Sequence, residues 1–213
     1  MERDHALDIV EGIVDTVDAE PTPVPVREIW VYGDVALGLD PVDRLNVYLT
    51  KDIHMRGEES DTDFEATHGV KGVGTSVSAS WAEQFPEYLR ANDGGYAAPE
   101  QCLAAQLLPA DEPVHLEVCN AGFEDNVTQR LRGAIDREAY EQILDPRGVC
   151  LWVDGQRSGE AMTKLRGGDL PFPTLSAALE MLGLDAETAQ EAARAVERHR
   201  AAQTGTTVRG DVV

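Results

Sequence analysis

Hydrophobic positions in residues 4–19 recur at spacings of three and four. Leu7, Val10, Ile13, Val14 and Val17 fall on one side, with Asp8, Glu11, Asp15 and Asp18 on the other, the pattern of an amphipathic helix. EPTPVP (20–25) stops it and leads into a strand, REIWVYG (27–33). A glycine-bounded connector, GDVALGLDPVDR (33–44), precedes a second strand, LNVYLTKD (45–52). Residues 56–63 read as a charged surface loop, and the Gly/Ser-rich stretch 68–80 holds one strand. Ser80, with Glu83 three residues on, opens a helix by a capping box that Pro86 kinks or shortens, and NDGG (92–95) breaks the chain. Pro99 suits the first turn of a helix through Leu108.

The second half alternates similarly. VHLEVC (114–119) is a strand by its period of two. FEDNVTQRLRGAI (123–135) is a helix with acids in its first turn, and REAYEQIL (137–144) is another. DPRG (145–148) turns the chain into the strand VCLWVDG (149–155). Helices follow over about 158–166, 175–182 and 186–202, and the last ten residues read as a mobile tail. The expectation is an α/β or α+β fold with a single central sheet and flanking helices. It divides into a core over 1–155, a helical C-terminal region over 156–203 and the tail over 204–213.

Charge changes the picture. The 213 residues hold 39 Asp and Glu against 18 Lys and Arg, a formal charge of −21, and only Lys51, Lys71 and Lys164 are lysines. In multimolar salt the Debye length falls to about 3 Å or less, so self-repulsion nearly vanishes while hydrated carboxylates keep the surface wet. Arginine keeps positive charge with a weakly hydrated head. The composition therefore predicts a halophilic protein. It also removes net charge as evidence about nucleic acid, because screening weakens repulsion and counterion release together. Cys102, Cys119 and Cys150 form no CxxC pair and read as reduced, buried thiols. The opening MERDHALDIV has no apolar h-region and no apolar run approaches about 18 residues, so a cytoplasmic protein without a membrane span is expected.

Candidate chemistry begins in WVYGDVALGLDPVDRLNVYLT (30–50). Gly33, Ala36 and Gly38 sit in a strand–turn–strand unit that resembles the polymerase-β-like nucleotidyltransferases, whose Gly-Ser-x-Ala-x-Gly turn precedes an Asp-x-Asp strand. That resemblance implies a nucleotidyltransferase-like core. Asp34 stands where the family has serine, and the two metal-binding positions hold Arg44 and Asn46. Arg44 puts a fixed positive charge where Mg²⁺ belongs, and two-metal phosphoryl transfer needs adjacent carboxylates. Asp43, one residue away, and Glu117 on the later strand are the remaining acids. The resemblance thus implies a catalytically silent relative, without cofactor or metal. The alternative is an enzyme acting on a nucleotide or nucleic acid through Asp34, Asp43, Glu117 and Mg²⁺.

In VHLEVC, His115, Glu117 and Cys119 share one face, expected to be the polar side of an edge strand with Val114, Leu116 and Val118 inward. His-x-Glu alone does not complete a zinc deaminase site, which needs a downstream Pro-Cys-x-x-Cys. In the loop 119–126, Asn120 and Asn126 suit a neutral ligand, whereas Glu124 and Asp125 repel phosphate from the helix start. Arg130, Arg132 and Arg137 read as a salt-bridged helix face. The C-terminal pair TLSAALEMLGL and DAETAQEAARAVERHR makes a helical hairpin. Its acidic second helix suits packing or a protein partner better than a DNA groove, and Arg194, Arg198 and Arg200 complement its dipole. No P-loop, strand–GxGxxG–helix, GxSxG or HExxH motif occurs.

PVPVREIWVYGDVALGLDPVDRLNVYLTKD, CLAAQLL, HLEVCNAGFEDNVTQRLRGAI and DPRGVCLWVDGQRS together resemble a haloarchaeal family carried as a domain of unknown function. The sequence therefore predicts a non-catalytic interaction or regulatory protein with a nucleotidyltransferase-like core. Binding positions are Gly33, Gly38, Arg44, Asn46, Asn120, Asn126 and Arg130. A protein partner is expected, nucleic acid is left open by charge, and no membrane is involved. A third reading is a protein adaptor working through an exposed apolar face of the hairpin.

Overall fold

The computed structural model describes residues 1–19, 22, 25–51, 70–73, 76–79 and 96–211. The expected loop at 56–63, the helix opened by Ser80 and the break at 92–95 lie outside the described residues. In chain order the elements are α1 (Arg3–Ala19), β1 (Val26–Tyr32), β2 (Leu45–Lys51), β3 (Val70–Val73), β4 (Ser76–Ala79) and β5 (Tyr96–Ala97). Then come α2 (Pro99–Leu107), β6 (Val114–Cys119), α3 (Phe123–Arg137), a 3-10 turn (Tyr140–Gln142), β7 (Gly148–Val153) and β8 (Gln156–Arg157). α4 (Gly159–Gly167), α5 (Leu175–Met181), α6 (Ala186–Ala201) and β9 (Thr207–Arg209) complete them.

The main sheet is six-stranded, in the order β8-β7-β1-β2-β6-β9. β1 is antiparallel to both β2 and β7, whereas β2–β6 and β6–β9 are parallel. A smaller antiparallel sheet has the order β3-β4-β5. Helices cover both faces of the main sheet. On one, Ile29, Val31, Val47, Leu49, Leu116 and Val118 pack with Leu7, Val10 and Ile13 of α1, Leu103 of α2 and Leu165 of α4. On the other, Tyr32, Tyr48 and Cys119 pack with Phe123 and Val127 of α3 and with Leu144. Here Trp30 stacks on Phe123 at 4.7 Å between ring centres, and Tyr48 meets the same ring edge-on. With both faces covered, every residue of β2 is buried.

A third cluster joins the C-terminal hairpin to this second face. Leu175, Leu179, Ala189, Ala193 and Val196 pack against Leu131 and Ala134 of α3 and against Ile143. The apolar stripe of the hairpin is therefore inside the molecule, contrary to the exposed face that an adaptor requires. Among its large apolar side chains, Met181 and Leu182 at the tip are exposed.

Several local expectations are corrected. The stretch 68–80 contains two paired strands, β3 and β4, instead of one. Residues 137–144 do not form a second helix. Glu138 adopts a left-handed conformation and closes α3 with its N–H on Ala134 and Ile135. The tight 3-10 turn then lets consecutive residues serve different clusters, Ile143 under the hairpin and Leu144 against Phe123. Asp154-Gly155, both with positive φ, forms a two-residue hairpin into β8, the connection that Asp-Gly favours. The tail is not free over 207–209: β9 forms the sheet edge beside β6. The three thiols are free, with Cys102 and Cys119 buried and Cys150 half-buried. No helix among the described residues is long and apolar enough to cross a membrane.

Candidate functional site

The connector after β1 turns back at Gly33, whose φ is +74°. A Cβ there would lie 2.7 Å from the Asn46 side-chain nitrogen, so glycine serves both conformation and close approach. The turn carries Asp34 inward, where its carboxylate accepts the Asp43 backbone N–H at 3.2 Å and stands 3.9 Å from Arg200. Asp43 itself is exposed. Arg44 and Asn46 then point to the helix-covered polar face and are buried, at 5% and 2% exposure.

Glu117 comes from the neighbouring parallel strand. Because β6 lies between β2 and β9, it is an interior strand. The face of His115, Glu117 and Cys119 is accordingly covered, not solvated. Glu117 accepts from both terminal nitrogens of Arg130, from Tyr32 at 3.3 Å, and pairs with the His115 ring at 2.9 Å. Burial alone would raise its pKa. Hydrogen bonds from His115 and Arg130, with their charges, outweigh burial and hold it at about 2. The same burial, reinforced by Glu117, pushes the Tyr32 phenol well above its ordinary value.

A second buried carboxylate, Asp145, lies beyond the 3-10 turn. Arg147 grips it through Nε and Nη2 at 2.9 and 2.8 Å, and Arg200 from α6 adds a bond at 2.5 Å. Burial opposes its ionisation, but these two guanidiniums hold its pKa below the usual range. Arg44 differs from its neighbours. Its terminal nitrogens reach the neutral side chains of Gln203 and Thr207, and its Nε has no partner among the described residues. Desolvation lowers its pKa and Arg200 adds repulsion, against the attraction of Glu117 and Asp34.

Together these groups line a half-open cavity of about 80 Å³. Arg44, Arg130, Arg200 and Arg209 line it together with His115, His199, Glu117, Glu141 and Asp145. A wider groove of about 460 Å³ adjoins it. The groove shares Arg130, Gln142 and Arg209 with the inner cavity and adds Asn126, Gln129 and Arg137.

The structure brings Gly33, Asp34, Arg44, Asn46, Glu117 and Arg130 to one region. It does not bring Asp34, Asp43 and Glu117 into a metal-binding group, and among the described residues no three His, Cys, Asp or Glu side chains are so arranged. Asp43 faces outward and Glu117 is already engaged by Arg130, Tyr32 and His115. Gly38 sits on the α4 side, near Gly168. Asn120 accepts from Lys51 at 2.8 Å away from the inner cavity, and Asn126 donates to the Tyr48 hydroxyl while lining the groove. Asp145, Arg147, Arg200, Gln203 and Arg209 are site residues that sequence reasoning missed. Arg200 looked like a dipole partner at a helix end, and nothing local shows that this side chain turns inward.

The fold and cleft define an α/β protein with an open, mixed six-stranded main sheet and a charge-lined cavity under the helices of one of its faces. The chain belongs to the family of unknown function DUF7095, whose model matches residues 2–213. No curated protein and no solved structure matches it.

Proposed function

We propose that this is a non-catalytic regulatory or interaction protein built on a nucleotidyltransferase-like core and adapted to a salt-rich cytoplasm. The observation that carries the reading is the chemistry at three converging positions. The strand–turn–strand unit through Gly33 and the parallel pairing of β2 with β6 place residues 44, 46 and 117 around one cavity. A nucleotidyltransferase would use acids there to hold metal ions. This chain has a buried guanidinium, a carboxamide, and a carboxylate already matched by Arg130 and His115. The cavity therefore favours anions over divalent cations.

The test is nucleotidyl transfer. The full chain in multimolar KCl, with Mg²⁺ or Mn²⁺ and α-labelled nucleoside triphosphates, should release no pyrophosphate and label neither itself nor added nucleic acid. Pyrophosphate release that Glu117→Gln abolishes would establish the enzyme reading instead.

A further inference from the structure

We infer that the cleft is a two-compartment site for an organic phosphate, with the phosphoryl group in the inner cavity and a polar body in the outer groove. This rests on the non-catalytic reading in one respect: the ligand is held and not turned over.

Arg44 is the first ground. It is 5% exposed, and its Nε faces no acceptor among the described residues. The groups that bind its other nitrogens, Gln203 and Thr207, carry no charge. Glu117 and Asp34 attract Arg44 from a distance and Arg200 repels it, but no carboxylate among the described residues pairs with it directly, and a buried cation without a contacting anion is costly.

The carboxylates around the cavity do not supply the missing charge. Glu117 is matched by Arg130 and Asp145 by Arg147, while Asp34 accepts the Asp43 backbone N–H and shares Arg200 with Asp145. Glu141 is exposed on the 3-10 turn. Arg44 and Arg209 thus remain as cations toward an incoming anion. Guanidinium forks suit phosphoryl oxygens, which accept paired N–H donors.

Size then divides the ligand. A water needs roughly 10–15 Å³, so a half-open cavity of about 80 Å³ has room for a tetrahedral oxyanion. The adjoining groove of about 460 Å³ falls within the range of small-molecule sites. Arg130, Gln142 and Arg209 line both compartments, which places a bridging ester between them. Gln129 and Asn126 give the groove carboxamides, suited to hydroxyl or amide groups on the ligand body.

Titration calorimetry on the full chain at fixed multimolar KCl tests this. The probes are inorganic phosphate, adenosine monophosphate and glucose 6-phosphate, with adenosine and glucose as phosphate-free controls. Inorganic phosphate should bind, at least one organic phosphate should bind more tightly, and the controls should not bind. Arg44→Gln and Arg209→Gln should each weaken phosphate binding by about tenfold or more, the loss of a charged hydrogen bond. Gln129→Ala should weaken the organic phosphate more than inorganic phosphate. Arg209→Gln, on the half-buried edge strand, keeps the test decisive if Arg44→Gln does not fold. No binding of any phosphate, binding of inorganic phosphate alone, or affinity unchanged in both arginine variants overturns the inference. Phosphorus NMR after titration separates the two readings. A bound ester that is consumed keeps the site and removes the non-catalytic reading. An ester neither bound nor consumed removes the site and leaves that reading standing.

Discussion

Arg130 on α3 holds both carboxylate oxygens of Glu117 on β6, joining the sheet to the helix layer that covers it. The pair is nearly dry, with side-chain exposures of 14% and 4%. Breaking such a pair by removing one partner strands the other charge, at about 3–5 kcal/mol.

This pairing sets a pH dependence. The folded pKa of Glu117, about 2, lies below that of an unfolded glutamate. The resulting stabilisation is on the order of 3 kcal/mol. It is fully present above the unfolded pKa of about 4.3 and is lost as pH falls toward the folded value. We expect denaturant unfolding at fixed salt to show falling stability across that window. Glu117→Gln should flatten this part of the profile while lowering stability at neutral pH.

Gly33→Ala should destabilise the fold by about 1–2 kcal/mol from the left-handed backbone alone. The new methyl group also meets the Asn46 side chain, so Asn46 must move within the cleft. Equilibrium unfolding measures the first effect. Phosphate affinity reports the second, and a variant with unchanged affinity would show that Asn46 gives way without disturbing Arg44.

The elements that position the site were largely legible in the sequence. The period of α1, the alternation of β6 and the Gly33 connector each follow from local physics. What alternation shows is which residues share a strand face, such as His115, Glu117 and Cys119. It does not show whether that face is covered, because the covering layers come from α3 and from a hairpin some sixty residues downstream. For the same reason Arg200 looked like a surface partner of its own helix, and Thr207–Arg209 looked like a free tail. Such a short strand forms because β6 offers an open edge. The Asp154-Gly155 hairpin, in contrast, carried a local signal that a reading of one strand overlooked.

Salt should act through the net charge of −21. At low ionic strength the carboxylates repel one another across the surface, and screening removes that repulsion. On the proposed salt-adapted reading, thermal unfolding should move upward with KCl well beyond the concentration at which simple screening is complete, because hydrated carboxylates then contribute as well. A melting temperature that levels off near physiological salt would mark an ordinary acidic protein.

The edge strand is tied down by Asp211. Its carboxylate accepts from Lys51, whose side chain is 7% exposed, and from the Asn120 backbone N–H. Asp211→Ala leaves the Lys51 ammonium with Asn120 as its remaining partner among the described residues. We expect a loss of about 1–2 kcal/mol, moderated because Asp211 is itself 32% exposed. Lys51→Met combined with Asp211→Ala should recover part of that loss, since no buried charge then lacks a counterion. Additive losses in the double-mutant cycle would show that the two charges do not interact.

The hairpin offers a direct comparison between packing and partner binding. Leu179 is fully buried against α3 and the segment after it, while Met181, two residues later, is 80% exposed. Leu179→Ala should cost about 2–5 kcal/mol, as expected for a cavity in a packed core. Met181→Ala should stay within about 0.5 kcal/mol. The hairpin also supplies Arg200, so loosening it should weaken the cleft: Leu179→Ala should reduce phosphate affinity although its side chain does not line the cavity. If calorimetry finds affinity intact at salt where Leu179→Ala is still folded, Arg200 is held by Asp145 alone and the hairpin's packing does not govern the site.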